Sequence, residues 1–256
     1  MDPQQAESYF LIALSSFERL SAEYPEDTGY RRFIFLSLKS LGPLHFSHGG
    51  TVAATDAYRK GCDIMERLVL DFEEVPQFRR ERATARINLG RALGLTGKQN
   101  EAAAILQQAV DELVELKQKT PDHTLVEYEL RRMYNILARL FSNWMPAESR
   151  DQALALEYAD KAKAEKKLRA DVRTTIGILR YHSGDWTEAK RLLIPQADET
   201  DWLFISMCES HLGHPMEAVH WYEKAVGAIN NSPLADLELQ RYRRQAEALL
   251  DLPPDQ

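Results

Sequence analysis

Ala6-x3-Phe10, Phe17-Glu18-Arg19-Leu20, Tyr24 and Tyr30-Arg31-Arg32 return in order as Ala54-x3-Tyr58, Met65-Glu66-Arg67-Leu68, Phe72 and Phe78-Arg79-Arg80. Every member is displaced by the same 48 residues. Leu41-Gly42 returns with that offset as Leu89-Gly90 and again as Leu137-Ala138. An offset held through so many positions of different chemistry marks an internal repeat, and periods of this size belong to arrays of supersecondary units.

The interior of each unit predicts two antiparallel helices. Leu41-Gly42 leads to Gly49, Ala54 and Tyr58; the same spacing gives Leu89-Gly90, Gly97, Ala102 and Leu106. Two later units repeat it as Ile176-Gly177, Gly184, Ala189, Leu193 and Ile205-Ser206, Gly213, Ala218, Tyr222. Small residues suit a close helix crossing and large apolar ones fill the facing holes. The glycine between them suits a left-handed helix end.

These residues resemble the tetratricopeptide repeat. Its usual period is about 34 residues, so the early units carry about fourteen extra residues in lengthened second helices. The connectors ending in Tyr30-Arg31-Arg32 and Phe78-Arg79-Arg80 are most similar to the long repeats appended to planctomycete-type bacterial serine/threonine kinases. Gly184-Asp185-Trp186, Asp201-Trp202-Leu203-Phe204 and Arg241-Tyr242-Arg243-Arg244 agree with that resemblance. It implies an all-α fold, an α-α superhelix in one domain over residues 1–256. The expected parts are a lone helix at 5–24, helix pairs at 29–72, 76–119, 123–166, 168–194 and 198–230, and a capping helix at 233–250. Twelve helices result. Pro43 within the first full unit predicts a kink, the third unit has a longer connector over 142–149, and Pro195 falls within the second helix of the fourth pair.

Composition fits such an array. The chain has 256 residues, 44% hydrophobic and 28% charged, which places it among folded globular proteins. Only 12 Gly and 11 Pro argue for long helices over many short strands. A net charge of −7 speaks against a surface that coats nucleic acid. The opening Met1-Asp2-Pro3-Gln4-Gln5 lacks the pattern of a secretory signal, and the longest apolar run, Tyr9 to Leu14, is far short of a membrane span. The expected location is the bacterial cytoplasm, with Cys62 and Cys208 as small buried apolar residues.

Catalytic motifs fail on inspection. Gly90 to Lys98 lacks the spacing and hydroxyl of a phosphate loop, and Asp71-Phe72-Glu73 lacks the glycine of the kinase metal-binding motif. The kinase that such repeats accompany has no counterpart here. His211, His214 and His220 form the only histidine cluster; a metal-dependent enzyme built on them is a remote alternative, and turn or surface positions account for them. Phe10, Tyr58, Trp186, Trp202 and Tyr222 fall on core sites of the repeat. No enzyme, cofactor or resident metal is expected.

Two features stand out. In proteins of this type, first-helix positions near the Leu-Gly pair line the concave groove, which places Lys39, Asn88, Arg91, Arg132, Asn135 and Arg139 there. Guanidinium and amide donors in a row suit an acidic peptide or a C-terminal carboxylate. Compared with the tetratricopeptide carboxylate clamp, Lys39, Asn88 and Arg132 match and Pro43 and Ile136 depart. Second, Leu11 and Ile12 are in phase with Arg59-Lys60 and Gln107-Gln108, so two apolar residues occupy positions that later units keep polar. They predict self-association through the first helix or a covering upstream region. The resulting expectation is a non-enzymatic scaffold for a peptide or partner protein, or alternatively a detached docking module of a kinase-like regulator.

Overall fold

The computed structural model describes residues 3–47, 49–120, 124–145, 149–163, 169–195, 197–230 and 237–252. Among them the chain is all-helical: α1 (Pro3–Glu23), α2 (Thr28–Ser47), α3 (Thr51–Asp71), α4 (Pro76–Leu95), α5 (Gln99–Lys119), α6 (Thr124–Arg139), α7 (Gln152–Ala162), α8 (Ala170–His182), α9 (Trp186–Leu193), α10 (Glu199–His211), α11 (Pro215–Asn230) and α12 (Leu237–Leu250). Contacts divide it into two compact units, Met1–Met133 and Tyr134–Gln256.

In the first unit each of α1 to α4 packs on its successor. Gly42, Gly90 and, in the second unit, Gly177 sit where neighbouring helices touch. A Cβ added at Gly90 would lie 2.6 Å from Leu106 Cγ, one at Gly42 2.1 Å from Tyr58 Cζ, and one at Gly177 2.5 Å from Leu193 Cδ2. Those distances are far below van der Waals contact, so only glycine lets the large residue of the facing helix seat. The interhelical glycines Gly49, Gly97, Gly184 and Gly213 have φ of 73°, 86°, 81° and 82°. An L side chain is strained there, which is why each pair turns at a glycine.

The 48-residue repeat is visible as geometry. The Tyr24 and Tyr30 rings lie 6.1 Å apart, and so do Phe72 and Phe78. Arg31 bonds Asp71 across 2.6 Å and lies over the Phe72 ring, while Arg79 bonds Glu115 at 2.7 Å. Each motif thus ties the start of its first helix to the end of its second. Deeper, Glu66 of α3 and Glu112 of α5 share Arg82 and Arg86 of α4. Glu112 is buried, and Arg82 donates to it at 2.6 Å. A carboxylate out of water is tolerable only with such paired donors. Arg32 closes a bidentate pair on Glu81, joining α2 to α4.

In the second unit α8 packs on α9, α9 on α10, α10 on α11, and α12 closes mainly against α10. Ser206 stands at the glycine position and donates its hydroxyl to the Ala218 carbonyl at 2.7 Å, a hydrogen bond between buried groups. Ala138 stands at the Gly90 position, in an apolar cluster that holds Ala155, Ala159, Ala162, Val172, Ile176 and Leu179. Asp198 opens α10 with a reciprocal cap to Asp201, and Asp151 and Asp185 cap α7 and α9.

Two local readings change, at Pro195 and in the third connector. Pro195 lies beyond its helix, since α9 ends at Leu193: a proline nitrogen has no proton to give the preceding turn, and the chain leaves the helix first. Helix α2 runs through Pro43 to Ser47, with the proline on its exposed side. Part of the expected third connector is instead a π-helical turn, Leu140–Trp144, closed by a 2.9 Å bond from Met145 N to Leu140 O. Its wider turn buries Ser142, Asn143 and Trp144.

Of the aromatics expected in the core, Tyr58 and Tyr222 are buried, whereas Phe10, Trp186 and Trp202 are only half-buried. Cys62 and Cys208 are buried free thiols, and burial pushes both up to about 12. No helix among the described residues is long and apolar enough to cross a membrane.

Candidate binding site around Tyr58

Four of the six expected groove residues fall in the first unit, and the charges of two of them, Arg91 and Arg132, act on one phenol. Tyr58 projects from α3 against Gly42 of α2 and is buried. Burial pushes its hydroxyl up, and the positive charges of Arg91 and Arg132 pull it the other way, which places both guanidinium groups within electrostatic range. Arg132 Nη2 donates to Asn88 Oδ1 at 2.7 Å, and its Nη1 approaches Glu129 Oε2 at 3.3 Å. Lys39 is exposed on α2, one turn before Gly42. No hydrogen bond from the Tyr58 hydroxyl occurs among the described residues.

The site is therefore built from the repeat itself. Gly42 and Tyr58 are the crossing pair, and Asn88 and Arg91 flank the next crossing glycine, Gly90. Asn88 is 9% exposed, so its amide acts as a fixed support, whereas the Arg132 side chain is 29% exposed and can meet a ligand. Two guanidinium groups, an amide and a phenol can hold a carboxylate. Glu129 takes part of the charge of Arg132, so an incoming acid would compete with it.

Asn135 and Arg139 are placed in the second unit. Asn135 is buried. Arg139 donates to Glu238 at 2.5 Å, and the same carboxylate oxygen accepts from Trp144 Nε1 at 2.9 Å and Tyr242 Oη at 2.6 Å. This hub fixes the π-helical turn to α12. Arg139 thus serves a buried carboxylate that sequence spacing could not pair with it.

The histidines have separate partners. His211 stacks on Trp186 at 4.5 Å and lies 3.3 Å from Tyr181 Oη; His214 meets Glu209 at 2.9 Å; His220 lies beside Trp221. No group of three or more His, Cys, Asp or Glu among the described residues is arranged to hold a metal ion.

Tyr58 and Glu129 are the site residues that sequence spacing missed. A tyrosine in the slot that the next unit gives to Leu106 was the available signal, because a phenol brings a polar tip to an apolar position.

On helix α1, Tyr9, Leu11 and Ile12 are 63%, 47% and 61% exposed, while Leu14 and Phe17 pack toward Ile34 and Leu38 of α2. The corresponding residues of α5, Gln107 and Gln108, are exposed and polar.

No protein-family model matches the chain, and no curated protein matches it.

Proposed function

We propose that the chain is a tetratricopeptide-type helical-repeat scaffold that works by binding, not catalysis, and that its ligand is an acidic or C-terminal peptide segment of a partner protein. The observation that carries the reading is that the charges of Arg91 and Arg132 act on the Tyr58 hydroxyl, with Asn88 bonded to Arg132 and Lys39 one turn from the Gly42 crossing. The phased glycines and crossing pairs support the repeat type. An array of helix pairs offers a peptide an extended groove, and a short row of cations selects an acidic one.

Fluorescence anisotropy with a labelled acidic peptide library tests this. Arg132→Glu should weaken the best binder at least about tenfold, the scale of one charge-assisted contact. Amidation of the peptide C-terminus separates carboxylate-end recognition from side-chain recognition. Equal affinity of wild type and Arg132→Glu for every peptide overturns the proposal.

The exposed apolar face of α1 supports a second contact, self-association through Tyr9, Leu11 and Ile12. Each such side chain gains on the order of 1.5–3 kcal/mol when covered. Sedimentation should show a dimer that Leu11→Lys dissociates; a wild-type monomer at high concentration rejects it.

A further inference from the structure

Successive helices leave a cavity at the same repeat position in each unit. In the first unit Thr51, Val52 and Thr55 of α3 line it together with Thr96, the residue after α4. In the second unit Gln152, Ala153 and Leu156 of α7 line it together with Leu179, Arg180 and Ser183 at the end of α8. The register is shared. The buried rows Ala54–Tyr58–Gly61 and Ala155–Ala159–Ala162 have the same spacing; Val52 and Ala153 stand two residues before them, and Thr55 and Leu156 directly follow the first alanine. Thr96 and Ser183 each precede a turning glycine, Gly97 or Gly184. The repeat therefore sets the place of the cavity, and the local residues set its chemistry.

In the first unit that lining is rich in hydroxyls and charges, with Asp56, Arg59 and Lys98 beside the threonines. In the second unit the wall is aliphatic. Leu179 is buried, while Leu156, where the first unit has threonine, remains 38% exposed. The cavity measures about 250 Å³, below the roughly 300–1,000 Å³ of sites that enclose small molecules, and its size suits one side chain. Arg180 stands exposed on the rim and makes no side-chain hydrogen bond or ion pair among the described residues. The neighbouring carboxylates are already engaged: Asp151 and Asp185 cap α7 and α9, Glu157 bonds Lys161 at 2.6 Å, and Glu188 bonds Arg191 at 2.6 Å. A guanidinium left over beside an apolar cavity fits a ligand that presents an apolar group and a carboxylate together.

We propose that the cavity between α7 and α8 docks one leucine-sized aliphatic side chain of a partner peptide, with an adjacent Asp or Glu of that peptide on Arg180. The aliphatic group covers Leu156 and reaches Leu179, which removes apolar surface of both molecules from water. Arg180 selects the acidic neighbour and fixes the direction of the peptide across the rim. The site is independent of the one around Tyr58, which lies in the other unit.

The test is methyl NMR of the full chain, titrated with a Ser-Asp-Leu-Asp-Ser peptide blocked at both ends. The Leu156 and Leu179 methyl signals should shift and saturate. Alanine in place of the peptide leucine should weaken binding about tenfold or more. Arg180→Glu should weaken the acidic peptide and favour Ser-Lys-Leu-Lys-Ser, a reversal that loss of packing alone does not produce. Leu156→Gln should weaken both. Arg132→Glu, in the first unit, should leave the titration unchanged, so failure here and failure of the Tyr58 reading are separate results. Absence of methyl shifts in the wild type overturns the proposal, as do equal affinities for the leucine and alanine peptides, or a folded Arg180→Glu variant that still prefers the acidic peptide. Leu156 shifts that grow with protein concentration in the absence of peptide assign the cavity to a second copy and overturn it too. The wild-type titrations decide the matter even where a variant does not fold.

Discussion

Alanine at position 90 should be worse than glycine, and the loss should vanish when Leu106 is shortened. In an isolated helix Gly→Ala gains about 1 kcal/mol. Here the new Cβ would stand 2.6 Å from Cγ and 2.8 Å from Cδ2 of Leu106, which is fully buried. The clash involves the branch point of the side chain, so rotating its end does not relieve it. Overpacking of this kind costs about 1–3 kcal/mol, and at such short range the upper end applies, for a net loss of about 2 kcal/mol. Leu106→Ala alone should cost about 3 kcal/mol through lost burial and a cavity. If the two losses were independent, the double variant would lose about 5 kcal/mol. If the methyl group occupies space vacated by leucine, the helix gain returns and the loss is about 2 kcal/mol. Urea unfolding followed by circular dichroism, closed into a double-mutant cycle, reads the difference. Losses that add to within about 0.5 kcal/mol refute the crossing-pair argument.

Glu112→Ala should cost about 2–4 kcal/mol by the same assay, because Arg82 and Arg86 lose their buried partner and keep only Glu66; a loss under about 1 kcal/mol would mean that water already replaces it. Asp201 is pushed up to about 6, chiefly by burial, while Thr174 Oγ1 donates to it at 2.7 Å and opposes the rise. Its folded value lies above its unfolded one, so its stabilising contribution is full below about pH 4 and lost as pH rises through about 6. Asp201→Asn should therefore be more stable than wild type at pH 7–8 by up to about 2 kcal/mol, after loss of the weak bond from Asp198 N, with the advantage gone near pH 4. Parallel melting curves for the two proteins at all pH values would contradict the buried-carboxylate account.

Helix positions were legible because the signals for them are local and repeated. Gly49, Gly97, Gly184 and Gly213 mark turns that need positive φ, and Gly42, Gly90 and Gly177 mark crossings that need no side chain. The Tyr/Phe-Arg-Arg motif was legible as a recurrence, but its work, an arginine reaching the end of the following helix, required distances. The π-helical turn was not legible. Leu140 to Trp144 contains no helix breaker, and Glu238, the partner of Trp144 Nε1, lies 94 residues further on in α12. The groove residues divide for the same reason. Lane counting placed Asn88, Arg91 and Arg132 on related faces; Asn88 accepts from Arg132, and the charges of Arg91 and Arg132 act on Tyr58. It could not see that Arg139 is claimed by a carboxylate from a later helix, nor that Asn135 is buried.

The crossing positions also bear on recombination of the units. Gly42 with Tyr58, Gly90 with Leu106 as Gly177 with Leu193, and Ser206 with the Ala218 backbone are three different solutions to one contact. An alanine-rich second helix grafted beside Gly90 would leave a void. Shuffled or duplicated units are therefore viable only when both halves of a contact travel together, which makes the matched pair, and not the single helix, the smallest part that can be exchanged.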